Sequence, residues 1–177
     1  MTVPATYSAL DLGGRYALRS PTCATSASIS LPGDVHHALL EAGEIPDPYF
    51  GENEKAVMWV NENAWTVERQ FTAAASDIDG YLTLTLSEVD CIATIFLNGE
   101  EVARTDNSFV RNDIDVTGKV RAGDNTLRID FAIAPDVAKA RADAHPFPIP
   151  FTKNYQTNGL KGIHMNFIRK AACHAGW

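Results

Sequence analysis

From Trp65 onward the chain alternates apolar and polar side chains with a period of two, and turn residues interrupt the alternation every few positions. Trp65, Val67, Arg69 and Phe71 alternate with Thr66, Glu68 and Gln70, and Leu82, Leu84 and Leu86 alternate with Tyr81, Thr83 and Thr85. Successive side chains of a strand point to opposite faces, so each run reads as a half-buried strand. Ile92 to Leu97 is a more continuous apolar strand, and Asn98-Gly99 after it is the strongest short hairpin signal, because both residues tolerate positive φ. Phe109 to Val116 is a further candidate strand, and Leu127, Ile129, Phe131 and Ile133 alternate with Arg128, Asp130 and Ala132. Short strands with regular turns between them, and no long helices, predict an all-β sandwich or jelly roll rather than a parallel α/β sheet.

One or two short helices are expected beside the strands. Asp34 is placed to cap a helix whose apolar stripe is Val35, Ala38, Leu39 and Ala42, with Gly43 as its stop. Pro135 suits the first turn of a second helix running to Ala144. Between the first helix and Trp65, Ile45-Pro46-Asp47-Pro48-Tyr49-Phe50-Gly51 reads as an ordered loop, since two prolines and a glycine exclude a regular element. Pro146, Pro148 and Pro150 favour extended backbone. The last stretch, about 154–177, has no period and is expected to be extended or mobile. The whole chain, 1–177, is expected to form one domain, and its apolar fraction of 45% suffices for a core.

The net charge of −7 argues against nucleic acid and against an anionic membrane surface, both of which need a basic face. The longest apolar stretch, Cys91 to Leu97, is too short to cross a bilayer. The start of the chain has neither the basic residues nor the apolar run of a signal peptide. Cys23, Cys91 and Cys173 are odd in number and far apart, which suits neither a disulfide framework nor a zinc knuckle. A cytoplasmic location is expected from these features together.

Candidate chemistry is sparse. There is no Gly-x-Ser-x-Gly elbow, no Gly-rich phosphate loop and no His pair at metal-ligand spacing, and Cys173-His174 are adjacent in sequence without the geometry of a dyad. His36 and His37 are neighbours and point to different helix faces. Hydrolysis of a glycoside needs two positioned carboxyl groups. Asn53-Glu54 and Asn61-Glu62 resemble the Asn-Glu pair of retaining glycosidases, but that pair belongs to a (β/α)₈ barrel of roughly 250 residues, longer than this chain. Both pairs read as decoys, with Glu54 a loop residue bonded to nearby backbone. Trp59, Trp65, Tyr49, Phe50 and Phe109 could stack on sugars, although most of them are expected in the core. No catalytic residue, metal ligand or cofactor is assigned.

The order of several motifs is more specific. Leu31-Pro32-Gly33-Asp34-Val35-His36 is followed by Ile45-Pro46-Asp47-Pro48-Tyr49-Phe50-Gly51, Asn53-Glu54, Trp59-Val60 and Trp65. Then come Asp90 to Gly99, Asp106-Asn107, Asp115-Val116-Thr117, Gly123-x-Asn125-x-Leu127, Phe167-Ile168-Arg169-Lys170 and Cys173-His174-Ala175-Gly176-Trp177. This order resembles the amino-terminal domain of the β-mannosidases of glycoside hydrolase family 2. The resemblance implies a galactose-binding-like jelly roll, an amino-terminal fragment of a larger hydrolase. Its partners would be immunoglobulin-like domains and a catalytic barrel of the same chain, and its substrate a terminal β-mannoside cleaved with retention. Both catalytic glutamates would lie in the barrel, leaving this domain non-catalytic. Trp177 matches the first tryptophan of the family's Phe-Gly-Trp-Asp-Trp-Gly motif, which helps to wall the sugar pocket, and Ala175 stands where the family has an aromatic residue. Two other readings stay open: an independent carbohydrate-binding module and a purely structural sandwich.

Overall fold

The computed structural model describes residues 8–149 and 165–170. Among the described residues eight strands are formed: β1 (Gly14–Arg19), β2 (Ser26–Leu31), β3 (Trp65–Ala73), β4 (Thr83–Leu86), β5 (Ala93–Leu97), β6 (Glu100–Thr105), β7 (Asn112–Asp115) and β8 (Gly123–Phe131). Three α-helices accompany them: α1 (Val35–Glu41), α2 (Asn53–Ala56) and α3 (Ala134–Asp143). Short 3₁₀ turns occupy Met58–Glu62, Ala75–Asp77 and Met165–Phe167.

Six strands form one antiparallel sheet in the order β2-β1-β3-β8-β5-β6, and β4 pairs with β7 in a second sheet. The register places Leu18, Val67, Ile129 and Ile95 in one row across four strands, and all four are buried. Leu84 of β4 and the flanking Val116 join the same core, with Leu82, Leu86 and Ile114 packed against it. The two sheets therefore face each other across an apolar interior, and the fold is the expected all-β sandwich, with three short helices beside it among the described residues. On the outer face the next row reads Ala17, Glu68, Arg128 and Phe96. A one-residue slip would exchange these rows, and burial of one face fixes the register.

The local signals act as their chemistry requires. Asp34 caps α1 by accepting from His37 N at 3.0 Å, and Ala38 and Leu39 are buried beneath it. Asn98 and Gly99 take φ of 54° and 85° and turn β5 into β6. Pro135 sits in the first turn of α3. Three expectations change. Residues 109 and 110 do not join β7, because Asn107 Oδ1 accepts from Phe109 N at 3.0 Å and holds a turn there. β8 ends at Phe131, and Ile133 becomes the residue preceding α3. Finally, Tyr49, Phe50 and Phe109 are exposed rather than core, whereas Trp65 is buried and Trp59 half-buried.

Candidate functional site

The motifs singled out in the sequence fall into two groups, one that builds the sandwich and one that gathers at its end. In the first group, Asn125 is 2% exposed and fully bonded: its amide donates to Arg121 O (2.7 Å) and Gly123 O (2.9 Å), and its oxygen accepts from Arg121 N and from Asn98 Nδ2. Asp115 Oδ1 accepts from Thr117 N, and Thr117 Oγ1 accepts from Leu82 N. Trp65 Nε1 donates to Val60 O, with Trp59 tilted against its ring at 6.1 Å. These residues close turns and fill the core.

The second group converges on residues 165–170. Ile168 is 4% exposed and packs with Cys91 and Ala138. Arg141 of α3 donates to Phe167 O at 3.0 Å and pairs with Asp106 at 3.2 Å. Ser108 donates to Arg169 O through its backbone N–H at 2.8 Å and through its hydroxyl at 3.2 Å, and Asn107 and Arg169 form a parallel bridge. Lys170 pairs with Asp90 at 2.9 Å. Asp90 and Asn107, remote from 167–170 in sequence, thus hold this segment directly, and Asp106 does so through Arg141. Among the residues nearby, half-buried His36 has its pKa lowered by burial, opposed by Asp34 and reinforced by Lys170.

Asp47 organises the proline-rich loop. Its Oδ1 accepts from Tyr49 N at 2.9 Å, and its carbonyl accepts from Phe50 N at 3.2 Å and from Asn53 Nδ2 at 3.0 Å. The Asn53 amide, rather than Glu54, bonds the loop backbone; Glu54 lies exposed in the first turn of α2. The result is a tight turn presenting Tyr49 at 97% and Phe50 at 75% exposure. Periodicity could not reveal this, because an aromatic pair in a loop has no period; the signal was Asp47 two residues before Tyr49, the spacing of an Asx turn.

Burial, and then the neighbouring Asp90, push the Cys91 thiol up to about 11. The exposed His37 ring lies 3.2 Å from Glu41. Among the described residues no three His, Cys, Asp or Glu side chains gather as metal ligands. Trp177, Cys173, His174 and Ala175 lie outside the described residues.

A shallow depression of about 320 Å³ lies on the outer sheet face, lined by Glu68, Gln70, Phe96, Arg121, Asp124 and Arg128 among others. The Arg128 guanidinium caps the Phe96 ring at 4.1 Å, the face a pyranose would need. Arg128 Nε lies 3.2 Å from Asp130 Oδ2 without the alignment of a hydrogen bond, and Arg19 pairs with Glu68 at 3.1 Å. Cations and carboxylates balance there, so the depression favours no charged ligand.

A two-sheet antiparallel β-sandwich with its loop motifs gathered around a 3₁₀ turn and a single bridge residue is a module of the galactose-binding type. The chain belongs to the family described as glycosyl hydrolase 2 galactose-binding domain-like, which residues 16–177 match. Its relatives carry the name β-mannosidase. It is 30% identical over 171 residues to a probable β-mannosidase of Caenorhabditis elegans, covering 95% of this chain and 19% of that protein. It is 32% identical over 174 residues to the β-mannosidase of Rattus norvegicus, covering 93% and 19%. The β-D-mannosidase of Dictyoglomus thermophilum superimposes with a TM-score of 0.75 at 29% identity, over 78% of this chain and 17% of that one. An exo-chitosanase from Amycolatopsis orientalis shares the fold, with a TM-score of 0.58 and 23% identity over 67% of this chain and 16% of that one. The chain thus spans about one fifth of the length of the relatives it matches.

Proposed function

We propose that this chain is the non-catalytic amino-terminal domain of a β-mannosidase-like hydrolase, packing on a catalytic barrel and lending Trp177 to the wall of the pocket for terminal β-mannose. The observation that carries the reading is the anchoring of residues 165–170 by Arg141, Ser108 and Asp90, on the segment that leads to Trp177. Lys170 precedes Trp177 by seven residues, a reach of at most about 25 Å. A wall residue has to be delivered to a fixed place, and a segment tied down by several bonds supplies a fixed starting point. Pockets between domains need walls from both sides, so a sandwich without its own carboxylate pair still contributes to binding. The names of the relatives support the substrate class, and the capped Phe96 ring weighs against an independent sugar module.

The test is Trp177→Ala in the full-length product of the source gene, assayed on an aryl β-mannoside. A fall in kcat/KM of at least tenfold is expected, with unfolding temperature unchanged. Undiminished kcat/KM would remove Trp177 from the pocket.

A further inference from the structure

Large apolar side chains are exposed mainly at one end of the sandwich. Tyr49 and Phe50, Phe109 and Val110, and Phe147 account for five of the seven exposed large hydrophobic residues among those described; Leu10 and Tyr81 are the others. The five stand on elements linked through residues 165–170. The Tyr49-Phe50 turn runs into α2, α2 abuts the 3₁₀ turn Met58–Glu62, that turn abuts α3, and α3 packs against Met165–Phe167. Phe109 and Val110 directly follow Ser108, whose N–H is bonded to Arg169 O. Phe147 meets the His145 ring at 4.5 Å, and that ring meets Phe167 at 5.4 Å.

We infer that this end is the surface on which the remainder of the parent chain docks, with Tyr49 and Phe50 as its anchor residues. The inference rests on the proposed function and names the surface that such packing would use. Two features of the turn suit an anchor. Its backbone is fixed before docking by the bonds to Asp47, so few degrees of freedom are lost when the rings are covered. Beside the rings, Glu52 is already paired with Lys55 at 2.8 Å. The occupant is argued from extent. Five side chains on three separate segments form too broad a set for one monosaccharide, and relatives match this chain over only about one fifth of their length, leaving about four fifths to cover it. The complementary surface is an apolar groove accepting two aromatic rings.

The experiment replaces Tyr49, and separately Phe50, with the photoreactive analogue p-benzoylphenylalanine in the full-length gene product and maps the crosslinks by mass spectrometry. Both positions are exposed, so the replacement leaves the sandwich intact. Crosslinks within one molecule to peptides beyond residue 177 are expected. Crosslinks only to a second copy, only within residues 1–177, or none at all would overturn the anchor role. The two proposals separate cleanly. Crosslinks beyond residue 177 with a fully active Trp177→Ala variant would keep the anchor and remove the pocket wall. An impaired Trp177→Ala variant without such crosslinks would do the reverse. A gene product that ends at Trp177 would overturn both.

Discussion

Asn98 Nδ2 donates to Asn125 Oδ1 at 2.8 Å, joining the β5–β6 hairpin to the turn that opens β8. Asn98 Oδ1 in turn accepts from Thr126 N, and Asn98 Nδ2 also reaches Lys119 O. Two amide side chains thereby pin the hairpin turn to residues 119–126, which lie 21 to 28 positions further along the chain. Asn125→Ala leaves the Arg121 N–H and carbonyl and one Asn98 donor bond without their partner, and each unsatisfied buried group costs about 1–3 kcal/mol. Urea unfolding of the 177-residue chain is expected to lose about 2–4 kcal/mol through a lower midpoint at an unchanged slope. A loss under about 0.5 kcal/mol would mean that water replaces the amide.

Gly33 is constrained by space. A Cβ at this position would sit 2.3 Å from the carbonyl oxygen of Ser30, a distance no real Cβ contact tolerates. Gly33→Ala must therefore displace the backbone between β2 and the Asp34 cap of α1. Steric intrusions of this kind cost about 1–3 kcal/mol. The measurement is again the urea midpoint, paired with exchange of the His37 amide that Asp34 holds. Unchanged exchange at His37 would show that the strain is absorbed without disturbing the cap.

Arg141 ties α3 to the docked segment. Its Asp106 partner is largely exposed, so the ion pair adds little, and the bond to Phe167 O contributes more. Arg141→Ala is expected to leave global stability nearly unchanged while accelerating exchange of the Ser108 amide, bonded to Arg169 O, by about tenfold, the effect of about 1.4 kcal/mol on a local opening. No acceleration would place the hold on 165–170 with Ile168 and Lys170 instead.

Cys91 predicts a pH dependence. Burial raises its thiol from 9.0 to about 11. Between those values the unfolded chain has lost a proton that the folded chain still binds, so stability falls as pH rises from 9 to 11, and the contribution is intact below 9. Cys91→Ala is expected to flatten the decline. At pH 8 only about one part in a thousand of such a thiol is thiolate, so peptide mapping after brief alkylation should find Cys23, half-buried, modified well before Cys91. Equal labelling of the two would mean that Cys91 is reached by local opening.

Period-two alternation determined β3, β4 and β8 from the sequence alone, a continuous apolar run determined β5, and Asp34, Asn98-Gly99 and Pro135 located a cap, a hairpin and a helix start. Each of these is a local relation among neighbouring residues, so no knowledge of the rest of the chain is needed. The strict alternation of Ser26-Ala27-Ser28-Ile29-Ser30-Leu31 was equally visible, yet small serine and alanine side chains give a weak apolar signal, and β2 and its partner β1 emerged only with the sheet. Tertiary structure alone decided which aromatics are core. Trp65 is buried because it lies on the inner face of a central strand, whereas Tyr49 and Phe50 stand exposed in a turn that Asp47 closes. The gathering of Asp90, Asp106, Ser108 and Arg141 around residues 165–170 was likewise a matter of tertiary structure. Contacts between residues tens of positions apart depend on how sheets and helices pack, and no local pattern records that packing.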